Sequence, residues 1–202
     1  MQERSYHHGN LRTALLEAAE RSVVEHGAAA LSLRELAREL GVSHAAPRRH
    51  FPDRAALLDA LAARGFDMLR EQLVGALAEA GPAFEARLHA IARTYVAFAT
   101  GRMPVVELMY AGKHAADTAA APAAARAAYA VPYAAIEEAH REGRLAEGQH
   151  PQAAARLVYA VVHGLAVLLN GGIIDPADAP ATVDTAVDGL LHGLGRGSVQ
   201  DG

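Results

Sequence analysis

Apolar residues recur at three- and four-residue intervals along most of the chain, the spacing that lines one face of a helix. Valine and isoleucine do not alternate with polar residues over any useful length, so strands are not expected. The pattern predicts an all-α protein. Helices are expected over residues 11–26, 33–40, 53–80, 84–100, 105–110, 129–141, 152–169 and 182–194. Glycine and proline mark the breaks at Gly27, Gly41, Gly81-Pro82, Gly101 to Pro104, and Asn170-Gly171-Gly172. Residues 115–125, rich in alanine with Pro122 among them, read as a loop or a weak helix. Pro132 falls early in the helix 129–141 or kinks it. The tail, 195–202, is expected to be disordered.

The densest signals lie between Ser32 and Arg54. Ser32 and Glu35 stand in an S-x-x-E capping box. Leu33, Leu36, Ala37 and Leu40 follow as one apolar stripe. Gly41 stops that helix, because a residue without a Cβ turns the chain at low cost. Val42 can pack beneath the turn, and Ser43 can N-cap a second short helix. Pro47 lies early in it, where few intrahelical bonds have begun. Phe51-Pro52-Asp53 ends it, and Asp53 can cap the helix that follows.

Two short helices joined at a glycine, with cations crowding the second, predict a helix-turn-helix that lays one helix in the DNA major groove. The exposed side of the second helix would carry Ser43, His44, Ala45, Arg48, Arg49 and His50. Small residues let a backbone approach base edges, while arginines and a hydroxyl bond phosphates or bases. The plain alternative is a short basic loop between two helices of an ordinary bundle.

The stretch resembles the TetR family of transcriptional regulators. The resemblance runs through helix 11–26 closed by Gly27, helix 33–40, the turn Gly41-Val42-Ser43, the pair His50-Phe51 and the opening cation Arg54. The prefix Tyr6-His7-His8-Gly9-Asn10-Leu11-Arg12 looks like one branch of that family, and the match covers residues 6–66. It implies phosphate contacts at Ser32, His50 and Arg54, and base contacts within residues 43–47. One departure stands out. The family's usual tyrosine, which packs beside the recognition helix and reaches a phosphate, is replaced by Arg48. Arginine keeps the reach and adds charge, but it loses the ring.

Composition changes one expectation. A net charge of −4 argues against a DNA binder, yet the charge is uneven. Residues 1–64 hold nine arginines against eight acids, whereas residues 65–202 hold ten cations against fifteen acids. The positive charge that displaces DNA counterions can therefore be local to the N-terminal part, with His44 and His50 adding to it when protonated. The chain is 51% hydrophobic and only 5% aromatic, which favours helices packed closely through alanine and leucine. It has no cysteine, hence no thiolate metal site or cysteine nucleophile. The N-terminus is polar, and the apolar run 157–169 is shorter than the roughly 20 residues of a membrane span. A helix buried on most sides is the expectation for that run, no membrane partner is expected, and cytoplasmic residence follows.

Beyond the helix-turn-helix, residues 1–55 read as the DNA-binding domain and 56–202 as a ligand-binding and dimerisation domain, linked by the helix 53–80. On residue pattern alone that helix is a strut; in the resemblance it transmits ligand-driven movement. Val183, Val187, Leu190, Leu191 and Leu194 form an apolar stripe. With Leu157, Val161, Leu165 and Leu168 it predicts an intersubunit four-helix bundle in a homodimer, against the alternative of intrachain core. The segment from Tyr159 to Leu165 resembles a Trp-x-x-x-His-Gly motif of the same family branch, with Tyr159 in place of the tryptophan. The segment 104–110 looks like that branch's run ending in Met-Phe, here Met109-Tyr110. An effector pocket is expected between the central helices. Tyr95, Tyr129, Tyr133, His114 and His163 would be its polar handles, amid Phe98, Leu108 and Met109.

No metalloprotease, P-loop, nucleophile-elbow or dinucleotide motif occurs, so no catalytic residue, cofactor or metal is assigned. His7-His8 is a poor metal pair, since adjacent helical residues point apart. The expected function is a DNA-binding regulator, a repressor that holds a palindromic double-stranded operator as a dimer and is released by a small molecule. The alternative is a helical interaction module whose helix-turn-helix no longer binds DNA.

Overall fold

The computed structural model describes residues 8–111 and 120–194, with side chains from residue 11 onward. Among the described residues there are eight α-helices and no strand. They are α1 (His8–His26), α2 (Leu33–Glu39), α3 (Arg54–Ala80), α4 (Phe84–Ala99), α5 (Met103–Tyr110), α6 (Ala120–Arg141), α7 (Pro151–Asn170) and α8 (Ala179–Leu194). The all-α reading holds. The largest difference is at α6, which starts at Ala120 rather than at 129. Its opening run is mostly alanine, the best helix former, and Pro122 sits in the first turn, where no intrahelical N–H is required. Pro132 lies in the interior of α6, not near its start. The tail 195–202 lies outside the described residues.

The chain divides into two compact units, residues 1–66 with 104–125, and residues 67–103 with 126–202. The helix α3 contributes to both.

In the first unit, α1 buries Leu11, Leu15, Leu16, Ala18, Ala19 and Val23. It packs on α2 and on the short 3-10 turn Pro47–Arg49. Leu36 and Ala37 of α2, Pro47 and Phe51 complete this core. Gly41 ends α2 with φ +66°. Its N–H bonds the Arg38 carbonyl at 3.2 Å, and the Val42 N–H bonds the Ala37 carbonyl at 3.0 Å, the two bonds of a Schellman turn. Asp53 caps α3 as expected, its Oδ1 accepting the Ala56 N–H at 2.8 Å. Gly65 of α3 gives α5 room to approach. A Cβ there would stand 2.7 Å from Met109 Sδ and 3.0 Å from its Cγ. One residue further on, Phe66 meets the edge of Tyr110, ring centroids 5.6 Å apart.

In the second unit, α4 buries Phe84, Leu88, Ile91, Ala92, Tyr95, Val96, Phe98 and Ala99. It packs on both α7 and α8, which also pack on each other. The apolar run of α7 is not buried on most sides. Only Ala154, Val158, Val162, Ala166 and Leu169 are buried, while Leu157, Val167 and Leu168 are exposed. The whole helix, at 20 residues, is long and apolar enough to cross a membrane by length and composition, but its buried stripe packs on α4 and α8. Asn170 ties the end of α7 to the end of α4. Its Oδ1 accepts the Gly101 N–H at 3.2 Å, and its Nδ2 donates to the Ala99 carbonyl at 3.4 Å.

Candidate nucleic-acid interface

The segment following Gly41 differs from the sequence expectation in a specific way. Ser43 does not start an α-helix. Residues 44–46 form a turn and Pro47–Arg49 a 3-10 helix. The Ala46 N–H bonds the Ser43 carbonyl at 2.9 Å, Arg49 bonds Ala46 at 3.2 Å, and His50 bonds Pro47 at 3.0 Å, all i to i+3. The reason is Pro47. An α-helix begun at Ser43 would use the residue-47 N–H to bond the Ser43 carbonyl, and proline has none. The segment tightens into the geometry that dispenses with that bond. The ring of Pro47 is buried. The capping box at Ser32 also fails to form. Ser32 is the N-cap of α2 in extended conformation, but its side chain makes no cap hydrogen bond.

The exposed face is nevertheless close to the one expected. Ser43, His44, Ala45, Arg48 and Arg49 are exposed, and His50 is half-buried, as is Ser32. Phe51, immediately after, is buried and anchors the segment. Two arginines of the neighbouring helices are engaged with acids. Arg21 of α1 pairs with Glu39 of α2 at 2.7 Å, and Arg64 of α3 lies 3.8 Å from both Glu17 and Glu20 of α1. Arg48 and Arg49 make no ion pair among the described residues and present their charge to solvent. This leaves positive charge exposed on the turn, which suits phosphate or base-edge contact. Arg54 is different. Its Nε donates to the Leu31 carbonyl at 3.1 Å, and its NH2 donates to the Ala28 carbonyl.

Sequence reasoning missed Arg12. This exposed α1 residue lies over the Phe51 ring, its guanidinium carbon 5.3 Å from the centroid. Only its membership of the Tyr6–Arg12 prefix drew attention to it, and pairing with Phe51 is a contact across 39 positions that no local pattern reports.

The residues expected to line an effector pocket are divided. Tyr95, Tyr129 and His163 come together in the second unit. The Tyr95 hydroxyl and His163 Nδ1 share a hydrogen bond of 2.9 Å. His163 stacks on Tyr159 with centroids 5.4 Å apart, and Tyr159 meets Tyr95 and Tyr129 edge-on. Tyr159, read from sequence only as a stand-in for tryptophan, is the centre of this cluster. Phe98 is buried in the same unit beneath Arg102, and Tyr133 is half-buried. Leu108 and Met109 are buried in the first unit, so they are core of a different body. His114 lies outside the described residues. A separate open groove of about 470 Å³ runs between the end of α3 and α4, lined by alanines with Glu79, His89 and Arg93.

The expected dimer stripe of α8 also needs correction. Val183, Val187, Leu190 and Leu194 are buried within the single chain, because α8 lies against α4 and α7. Leu191, Val161 and Leu165 are half-buried, and Leu157 and Leu168 remain exposed at 45% and 37%. On α8, Thr182 and Ala186 are half-buried, and Gly189 and Gly193 are exposed.

A helix-turn-helix fold followed by an all-helical unit defines a class of DNA-binding regulator, and comparison with known proteins agrees. Residues 15–61 match the bacterial regulatory proteins of the tetR family, and residues 88–193 match the tetracyclin repressor-like C-terminal domain. The chain belongs to the TetR family of transcriptional regulators and carries its DNA-binding domain. A Rhodococcus sp. RHA1 protein of unknown function is 41% identical, with a TM-score of 0.86, the match covering 96% of this chain and all of that one. A regulatory protein of the tetR family from Rhodococcus RHA1 is 19% identical, TM-score 0.71, over 91% of this chain and 96% of that one. The ketosteroid transcriptional regulator KstR2 of Mycobacterium tuberculosis is 16% identical, TM-score 0.69, over 96% and 97%. The last two share the fold alone. A search of curated protein sequences gives no match.

Proposed function

We propose that this protein is a ligand-responsive repressor that binds a palindromic operator as a homodimer in the cytoplasm. Residues 1–55 would bind DNA, the helix 53–80 would link, and 56–202 would bind the effector and the second subunit. The observation that carries the reading is the exposed turn from Ser43 to Arg49, where two arginines without acid partners stand beside small residues on a module closed by buried Pro47 and Phe51. Two copies supply two half-site readers. Their contact is best supported at the open face of α7, where Leu157 and Leu168 are exposed and Val161 is half-buried, one or two turns apart. The Tyr95, Tyr129, Tyr159 and His163 cluster suits an apolar or amphipathic small molecule with a flat face and a polar edge. Effector would favour a state whose half-site spacing no longer fits the operator.

One observation favours a second reading. The recognition segment is a turn and a 3-10 helix with Arg48 in place of tyrosine, so the module could serve protein contact without DNA. Selection of genomic fragments by the intact protein separates the two. Recovery of a palindromic sequence whose binding weakens steeply with salt supports the repressor. No enrichment over random fragments sinks it.

A further inference from the structure

Arg54 follows the helix-turn-helix, and Leu31 precedes it. The Nε–H of Arg54 reaches back 23 positions to the Leu31 carbonyl at 3.1 Å, and its NH2 reaches the Ala28 carbonyl. Everything from Ser32 to Asp53 is therefore enclosed in a loop that one guanidinium closes. The geometry assigns Arg54 a positioning role: it fastens the first turn of α3 to the turn that opens α2, and so fixes the helix-turn-helix relative to α3. This departs from the phosphate contact that resemblance implies, and it rests on the DNA-binding function proposed above.

Three features support the assignment. The α2 ladder begins at the Ser32 carbonyl, which accepts the Leu36 N–H at 3.0 Å, so the Leu31 carbonyl lies outside it. The Ala28 carbonyl belongs to the 3-10 turn Ala28–Ala30, where it also accepts the Leu31 N–H at 3.3 Å. Each carbonyl oxygen has a lone pair left for a charged donor. A cation at the first position of α3 is at the unfavourable end of that helix's own dipole. Reaching away to the carbonyls relieves the mismatch. Leu31 itself is buried, so the turn is held by its side chain from within and by Arg54 from without.

Only arginine fits. The Nε–H lies part-way along the side chain, where lysine has a methylene. Lysine keeps the charge that a phosphate needs and loses the bond to Leu31. Full-length wild type, Arg54→Lys and Arg54→Ala are titrated with the selected operator over a range of salt, and amide exchange is followed in each. If Arg54 positions, both variants bind roughly tenfold more weakly or worse with the wild-type salt slope. Amides at 28–33 then exchange faster while those of α1 keep their protection. If Arg54 is a phosphate contact, Arg54→Lys binds like wild type, and Arg54→Ala lowers the slope of log K against log salt by about 0.9. That result overturns the proposal. Should Arg54→Ala lose protection throughout, Arg54→Lys decides. Should wild type bind no fragment, the DNA-binding reading has failed, and exchange at 28–33 still tests the fastening.

Discussion

Arg93 of α4 grips Asp184 of α8 with two parallel bonds, Nε to Oδ1 and NH2 to Oδ2, each 2.8 Å long. His89, one turn earlier on α4, reaches the same Asp184 oxygen at 3.3 Å and Asp188 Oδ1 at 3.1 Å. The Arg93 bonds hold the Asp184 carboxyl below the usual carboxylate range, against the opposing pull of burial, and His89 adds to the lowering. A lowered native value stabilises the fold at every pH above the ordinary aspartate value of about 4, and the contribution is lost as pH falls through the native value. Asp184→Asn is expected to be less stable than wild type at pH 7 by at most about 1 kcal/mol, since the pair is partly exposed. Denaturant titrations across pH should show that difference vanish in acid. A difference that persists there would mean the loss is packing and not charge.

Asp59 of α3 is 2% exposed, and its Oδ1 has no hydrogen-bond partner among the described residues. Leucine has nearly the same shape without the polar oxygens. Asp59→Leu should raise stability by about 1–3 kcal/mol, read from the urea midpoint at unchanged m-value. A loss instead would show that the carboxylate is satisfied in solution.

Gly65 is the point where α5 meets α3. Valine there drives a side chain into Met109, whose Sδ is 2.7 Å from the position of a Cβ. Gly65→Val should cost about 2 kcal/mol or more, although glycine itself is a poor helix former. Adding Met109→Ala should return part of that loss. Simple addition of the two losses would place the contact elsewhere.

Pro47→Ala supplies the missing N–H to the Ser43 carbonyl. Residues 44–49 should wind into α-helix, visible in backbone carbon chemical shifts. Stability should stay within about 1 kcal/mol of wild type, because the helix gain opposes loss of the buried ring. Unchanged shifts would mean that tertiary packing, and not the proline, sets the turn.

Leu157→Glu with Leu168→Glu places charges on the open face of α7 while sparing its buried stripe. Sedimentation should then report monomers with unchanged helix content. Dimers that survive both changes would move the interface away from α7.

How much was legible depended on where the cause lay. Helix boundaries at Gly41, Asp53 and Gly81 were readable because turn geometry and caps are local to a few residues. The exposed face of residues 43–49 followed from the same local signals. The 3-10 conformation departs from the helix expected after Ser43, because Pro47 has no N–H for the Ser43 carbonyl. Tyr95, Tyr129 and His163 were legible as pocket handles, but Tyr159 at the centre of the cluster was not, because three helices contribute to it. Nor was the assignment of Leu108 and Met109 to the first unit, which rests on α5 finding the gap at Gly65.

The sequence by itself determined that the chain is all-helical, where its helices break, and that a glycine-jointed basic module sits near the N-terminus. These follow from periodicity and from backbone chemistry within one or two turns. Only the tertiary structure decided that the α8 stripe is the chain's own core, since an apolar stripe states that a face is covered and not what covers it. Only it revealed that Arg54 turns back to close the helix-turn-helix, because a guanidinium can donate to a carbonyl as well as to a phosphate. Which partner a side chain takes is fixed by what the fold brings within its reach.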